Sequence, residues 1–276
     1  MISILGLVQY LLLLIVAYSG VSLGLPIFLR FLAETGRVRP NYAGREIPLG
    51  AGLYLVLLLP VLHALALLAG VPGFPIGLSL LVTLTLVGFG LAGLVDDCLG
   101  TAQDKGFRGH FTALLRTGRL TSGAFKALFG GAVALLVALA LPIIEAKTFG
   151  PWYQILLNAL LLASAANLVN LFDLRPGRAG KIFLLGLLIC AALAARIEHF
   201  GGPILLVTVM FIPLLRRDLR AELMLGDTGS NLLGATLGLA MVFWLTLHAK
   251  IFAVALLLVL QALSERFSFS ALIERF

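Results

Sequence analysis

The sequence predicts an all-α, polytopic integral membrane protein with about nine or ten transmembrane helices, and three observations predict it. The chain is 61% hydrophobic and only 12% charged over 276 residues, with a mean hydropathy of +1.08. That leaves too little polar surface to cover a water-soluble core. The apolar residues gather in repeated runs close to the roughly 20 residues that cross a bilayer. Finally, Lys and Arg fall almost entirely in alternate connections between those runs, as cytoplasmic loops require.

Nine runs follow one another along the chain: 2–32, 49–69, 76–95, 125–144, 152–172, 182–197, 203–215, 231–247 and 251–263. Helix is the assignment for each. Backbone groups in lipid must be satisfied within their own segment, and the runs are too long and continuous for barrel strands. The seventh is short for a bilayer, which a tilt or a locally thin membrane accommodates. Only His248-Ala249-Lys250 separates the last two, so a tight turn is expected there. The start lacks a basic leader region and a cleavage motif, and reads as a retained first span. With no soluble insertion or repeat, residues 1–276 read as a single transmembrane domain.

Orientation follows from the basic residues. Arg30, Arg37, Arg39 and Arg45 lie in or near the first connection. Lys105, Arg108, Arg116, Arg119 and Lys126 lie in the third. Later connections on the same side carry Arg175, Arg178 and Lys181, then Arg216, Arg217 and Arg220, with Arg266 and Arg275 near the end. Of the twenty basic residues, only Lys147, Arg196 and Lys250 belong to the opposite face. The N-terminus is therefore expected outside, and the rich loops in the cytoplasm. Of the thirteen acids, only Glu145 and Glu198 fall outside. Nearly all polar chemistry thus shares the cytoplasmic face. The net charge of +7 reads as loop bias plus a site for anionic ligands, not as a nucleic-acid surface. Cys98 and Cys190 suggest no structural disulfide. The stretch Gly109–Leu120 reads either as a short amphipathic helix on the membrane surface or as a solvated loop.

Four cytoplasmic stretches carry the candidate chemistry. The first runs from Arg37 to Gly52. Its basic residues, Arg45 among them, precede glycines at a helix start, which suits a phosphate but also simple topology. The second is Gly93-Leu94-Val95-Asp96-Asp97. Ionisable groups at a membrane boundary are functional candidates by default. Adjacent carboxylates stay ionised only beside a cation, and Mg²⁺ prefers such oxygen ligands shared with substrate phosphates. Lys126 opens the next helix, as a phosphate contact or an interface anchor. The third is Asn167-Leu168-Val169-Asn170-Leu171-Phe172-Asp173, whose three polar residues share one helical face. Polar contacts between helices are its other reading. The turn that follows, with Arg175 and Arg178, binds phosphate or marks the cytoplasm. The fourth is Gly226-Asp227-Thr228-Gly229-Ser230-Asn231. A small-residue turn with one Asp, opening a helix, offers a carboxylate to metal and N–H groups to phosphate, and the same residues can cap that helix. Together the clusters look like a divalent-metal site for a phosphorylated substrate, one partner being a lipid phosphate.

The motifs at 93–97, 167–173 and 226–230 occur in the order and topology of a known superfamily. The chain resembles the polyprenyl-phosphate N-acetylhexosamine-1-phosphate transferases, which include phospho-MurNAc-pentapeptide translocase and the enzymes that start O-antigen and teichoic-acid synthesis. The stretch Arg45 to Gly52 resembles their entry loop, and Gly123-Ala124-Phe125-Lys126 resembles the segment where they carry a lysine. The resemblance implies Mg²⁺-dependent transfer of a sugar-1-phosphate from a nucleotide sugar, UDP-linked, to polyprenyl (undecaprenyl) phosphate. The setting it implies is glycan synthesis at the bacterial cytoplasmic membrane. It implies catalytic roles for Asp96, Asp97 and Asp227, with Asp227 and Asp97 on the metal. Asn167, Asn170, Asp173, Lys126, Arg45, Arg175, Arg178 and Gly226 would bind substrate. Membrane lipids are implied partners, and a homodimer is left open. The sequence departs from the family pattern in three places. Pro176 replaces a second aspartate, Met224 stands where an aromatic is common, and none of the four histidines lies in the last cytoplasmic segment. Those departures motivate a second reading, a relative that binds lipid phosphate or an envelope-synthesis enzyme without turnover.

Overall fold

The computed structural model describes residues 3–100, 116, 118, 120–146, 150–194 and 201–266. Among these, each of the nine expected runs forms a helix: α1 Ile4–Glu34, α2 Leu53–Leu68, α3 Ile76–Leu99, α4 Ser122–Ala146, α5 Trp152–Phe172, α6 Arg178–Ala192, α7 Gly201–Asp218, α8 Gly226–Trp244 and α9 Leu247–Arg266. Five are long and apolar enough to cross a membrane: α1, α3, α4 over Ser122–Ile144, α5 and α9 over Leu247–Ser264. The protein is a multi-pass membrane protein. Helices α2 and α6 have 16 and 15 residues, about 23 Å each at the α-helical rise, short of a hydrocarbon core of about 30 Å. The stretch expected as a surface helix, Gly109–Leu120, lies almost wholly outside the described residues.

The bundle is built around α8. Every residue of α8 except Asp227, Met241 and Phe243 is buried, as a helix enclosed on all sides must be. Its principal neighbours are α3 and α5, with α6, α2 and α7 also packed against it. Small residues make this crowding possible. A Cβ at Gly234 would collide with the backbone of Ala165 and Ala166 in α5, and one at Gly52 with the backbone of Gly229. The core is therefore set by backbone approach as much as by side-chain volume.

Two features depart from the sequence expectation. The turn between the last helices is not His248–Lys250, which lie inside α9. Helix α8 ends at Trp244 and α9 starts at Leu247, where Thr246 accepts the Ala249 N–H with its side chain at 3.4 Å and the Lys250 N–H with its carbonyl at 2.9 Å. A threonine cap outranks apolar continuity in placing the break. The first cytoplasmic connection also holds a short antiparallel hairpin, β1 Val38–Pro40 with β2 Glu46–Pro48. Asn41 closes it by accepting the N–H groups of Ala43 and Arg45. Beyond β2 the chain bonds to Met224: the Met224 N–H donates to the Pro48 carbonyl, and the Gly50 and Ala51 N–H groups donate to the Met224 carbonyl. The hairpin is thereby anchored beside the start of α8.

Candidate active site

A helix start exposes N–H groups that need acceptors. At α8 no side chain of its own N-cap residue supplies one. Asp97, from the end of α3, does so instead. Its Oδ1 accepts the Asp227 N–H at 2.8 Å, and its Oδ2 accepts the Thr228 N–H at 3.0 Å and the Thr228 hydroxyl at 2.6 Å. Two glycines permit the approach. Gly226 has φ +73°, and a Cβ there would stand 2.6 Å from Asp97 Oδ2. A Cβ on Gly93 would collide with the Asp227 backbone. Gly93-x-x-Asp-Asp and Gly226-Asp-Thr-Gly-Ser are thus two halves of one joint. Asp97, expected as a metal ligand, has both oxygens engaged in capping α8.

Asp96, one residue back and turned about 100° around the helix, faces elsewhere. Lys126 Nζ lies 3.6 Å from Asp96 Oδ2, pairs closely with Asp227 Oδ2, and donates to Asn170 Oδ1 at 3.0 Å. Asn170 in turn donates from Nδ2 to Ser230 at 2.9 Å. Four expected site residues from α3, α4, α5 and α8 therefore form one network around a single ammonium. The joint at Asp97 holds Asp227 in place to take part.

This network closes one end of a cavity of about 860 Å³. Asp96, Lys126, Asn167 and Asn170 line it there, while Phe89, Gly130, Ala163 and Leu258 line it further along. Phe89 lies two helical turns before Asp96, about 10 Å along α3, so the cavity runs from the charged end of the bundle into its apolar zone. Asn167 and Asn170 share this wall as their spacing predicts. Asp173 does not, because α5 ends at Phe172 and Asp173 leaves helical geometry with ψ 46°. Burial, then the carboxylates of Asp218, Asp227 and Asp97, pushes the Asp173 carboxyl well above the usual carboxylate range.

None of the three arginines lines the cavity. Arg45 is exposed in the hairpin. The Arg175 guanidinium sits over the Tyr42 ring at 5.8 Å, joining the hairpin to the turn after α5, and Arg178 begins α6. Sequence reasoning missed Ser164 and Gln261 on the cavity wall, which also holds Asn231 from the fourth candidate stretch. Asn231 lies one turn beyond Asp227 and is 2% exposed, with an Oδ1 that has no hydrogen-bond partner among the described residues. Gln261 donates to the Ser164 carbonyl at 2.9 Å. A lone amide in the otherwise apolar last run was the available signal.

Among the described residues no three His, Cys, Asp or Glu side chains form a ready metal cage. The donors that do converge, Asp96, Asp227 and Asn170, are all oxygens. That chemistry suits a hard cation held by one or two carboxylates and completed by substrate phosphates.

A sequence model of glycosyl transferase family 4 matches residues 79–245, well over half of the chain and all of α3 to α8 beyond its first turn. No curated protein matches the chain. The matched region contains Asp96, Lys126, Asn170 and Asp227, the residues of the network at the head of the cavity, and Asp97, which caps α8 beside them. The chain belongs to glycosyl transferase family 4, the family of polyprenyl-phosphate sugar-1-phosphate transferases.

Proposed function

We propose that the protein transfers a sugar-1-phosphate from a nucleotide sugar, UDP-linked, to polyprenyl phosphate at the bacterial cytoplasmic membrane, in cell-envelope glycan synthesis. The observation that carries this reading is the Asp96–Lys126–Asp227–Asn170 network at the head of a cavity that continues into the apolar zone. A lipid phosphate needs both: a charged end for its head and an apolar channel for its chain. The bias of Lys and Arg toward the connections that share the face of Asp96 and Asp227 favours a soluble, anionic donor arriving from that side.

In the proposed reaction an oxygen of the lipid phosphate attacks the β-phosphorus of the donor. The bond from that phosphorus to the bridging oxygen breaks, UMP leaves, and a polyprenyl diphosphate sugar remains. Lys126 meets the phosphate oxygens where charge gathers, and the reaction depends on positioning and charge stabilisation. Asp227 and Asp96, with Asn170, would hold Mg²⁺. Bound there, it neutralises the diphosphate and stabilises the leaving phosphate. Asp97 keeps Asp227 in register by capping α8.

Purified protein supplied with undecaprenyl phosphate, Mg²⁺ and a panel of nucleotide sugars should release a nucleoside monophosphate from at least one donor. Release should stop with a chelator and with Asp227→Asn. No release from any donor, or full activity in Asp227→Asn, overturns the reading.

A further inference from the structure

Asp218 is a buried carboxylate that the proposed reaction does not use. It ends α7 and is 4% exposed. Its Oδ2 accepts the Gly177 N–H at 3.0 Å. Gly177 is the third residue of Arg175-Pro176-Gly177-Arg178, where the Arg178 N–H donates to the Arg175 carbonyl at 3.2 Å and Gly177 has φ 73° and ψ −6°. Proline second, a left-handed glycine third and that hydrogen bond make a type II turn. Types I and II differ by a flip of the central peptide, the one whose N–H belongs to Gly177. Asp218 therefore grips the peptide that decides the turn type. Leu219 fills the space that a Cβ at position 177 would need, so the turn is seated by contact as well.

The same end of α7 gathers the other cytoplasmic connections. The Asp218 carbonyl accepts the Ala221 N–H at 2.8 Å, and Ala221 has φ 54°, unusual for a residue with a side chain. Asn41 of the hairpin donates to the Ala221 carbonyl at 3.3 Å. Tyr42, next in sequence, carries the Arg175 guanidinium.

We propose that Asp218 is a positioning residue for the donor diphosphate: it locks the Arg175–Arg178 turn so that both guanidiniums meet the phosphates of a nucleoside diphosphate. The two arginines are the first and last residues of a turn whose Cα ends lie within about 7 Å, so their side chains leave the backbone from neighbouring points. Asp218 itself touches no substrate. This inference rests on the phosphoglycosyl-transfer reading, and it gives Pro176 a purpose: the proline presets the turn that Asp218 then holds.

The test uses full-length protein in nanodiscs, with UDP and undecaprenyl phosphate as separate probes and hydrogen exchange over residues 173–180 and 226–240. Asp218→Ser, too short to reach Gly177, should speed exchange over 173–180 alone. It should weaken UDP binding about tenfold, the worth of roughly one hydrogen-bonded contact, and leave undecaprenyl phosphate binding unchanged. Asp218→Asn, which keeps an acceptor for the Gly177 N–H, should behave as wild type. If Asp218→Ser does not fold, Gly177→Ala strains the same turn and should show the same donor-selective loss. Unchanged UDP binding and exchange overturn the inference. Equal loss of both ligands, with faster exchange over 226–240, also overturns it by showing a general structural role. Wild-type protein that binds undecaprenyl phosphate but not UDP overturns the donor reading and this inference together. UDP binding that ignores position 218 overturns this inference alone.

Discussion

Two helix starts on the charged face are capped by carboxylates from other helices, and they are built to different stiffness. At α8, Asp97 uses both oxygens on three donors, and Gly93 and Gly226 let backbone and carboxylate approach with no room to spare. At α6, Asp218 takes the single N–H of Gly177, within a turn that also leans on Tyr42 through Arg175. The first cap lies inside the bundle and aligns Asp227 with Lys126 and Asp96. The second holds a turn between α5 and α6. The same device thus serves a stiff joint and a lighter one. The difference is the number of bonds and the space available to relax.

Breaking the stiff joint should cost most. Asp97→Ala leaves three donors at α8 without their acceptor, and should destabilise the protein by about 3 kcal/mol. It should also lower turnover about 10²-fold by shifting Asp227. Thermal unfolding and nucleoside monophosphate release check both, and a variant with normal turnover would show that the cap does not position Asp227. Gly226→Ala keeps Asp97 but forces a side chain into left-handed backbone and against the carboxylate. About 2–3 kcal/mol is expected, read as a fall in melting temperature. Lys126→Met removes the ammonium between Asp96 and Asp227. Because all three groups are partly exposed, about 2 kcal/mol is expected, below the range for a fully buried pair. The loss should shrink as pH falls and the two carboxylates lose their charge, which denaturation at two pH values will show. Tyr42→Ala removes only a cation–π contact. Less than about 1 kcal/mol of stability should go, with a small rise in KM for the donor and none for the lipid. An effect as large as that of Asp97→Ala would erase the contrast between the two caps.

Much of this was legible in the chain. The nine helices among the described residues follow from apolar runs because a lipid-facing backbone has no alternative partner to its own. The gathering of Asp96, Lys126, Asn170 and Asp227 follows from their loops sharing one face. What escaped is instructive. The α8–α9 break was misplaced because a single threonine cap carries no weight in a hydropathy count. The β-hairpin escaped because its strands are three residues each and are held by Asn41 and by Met224, far away in sequence. The family pattern puts Asp97 rather than Asp96 on the metal with Asp227, yet the helical turn between the neighbours sends Asp97 into a cap and Asp96 toward the cavity.

The sequence by itself determined the membrane class, a helix for each apolar run among the described residues, and the face on which the chemistry gathers. Those are consequences of solvent transfer and charge, which act residue by residue. Only the tertiary structure decided which carboxylate caps and which lines the cavity, that Asp173 leaves the cavity wall, and that Asp218 reaches Gly177. Those outcomes depend on where helix ends fall and how closely α3, α5 and α8 approach. That approach is set by glycines whose effect appears only when another backbone arrives beside them.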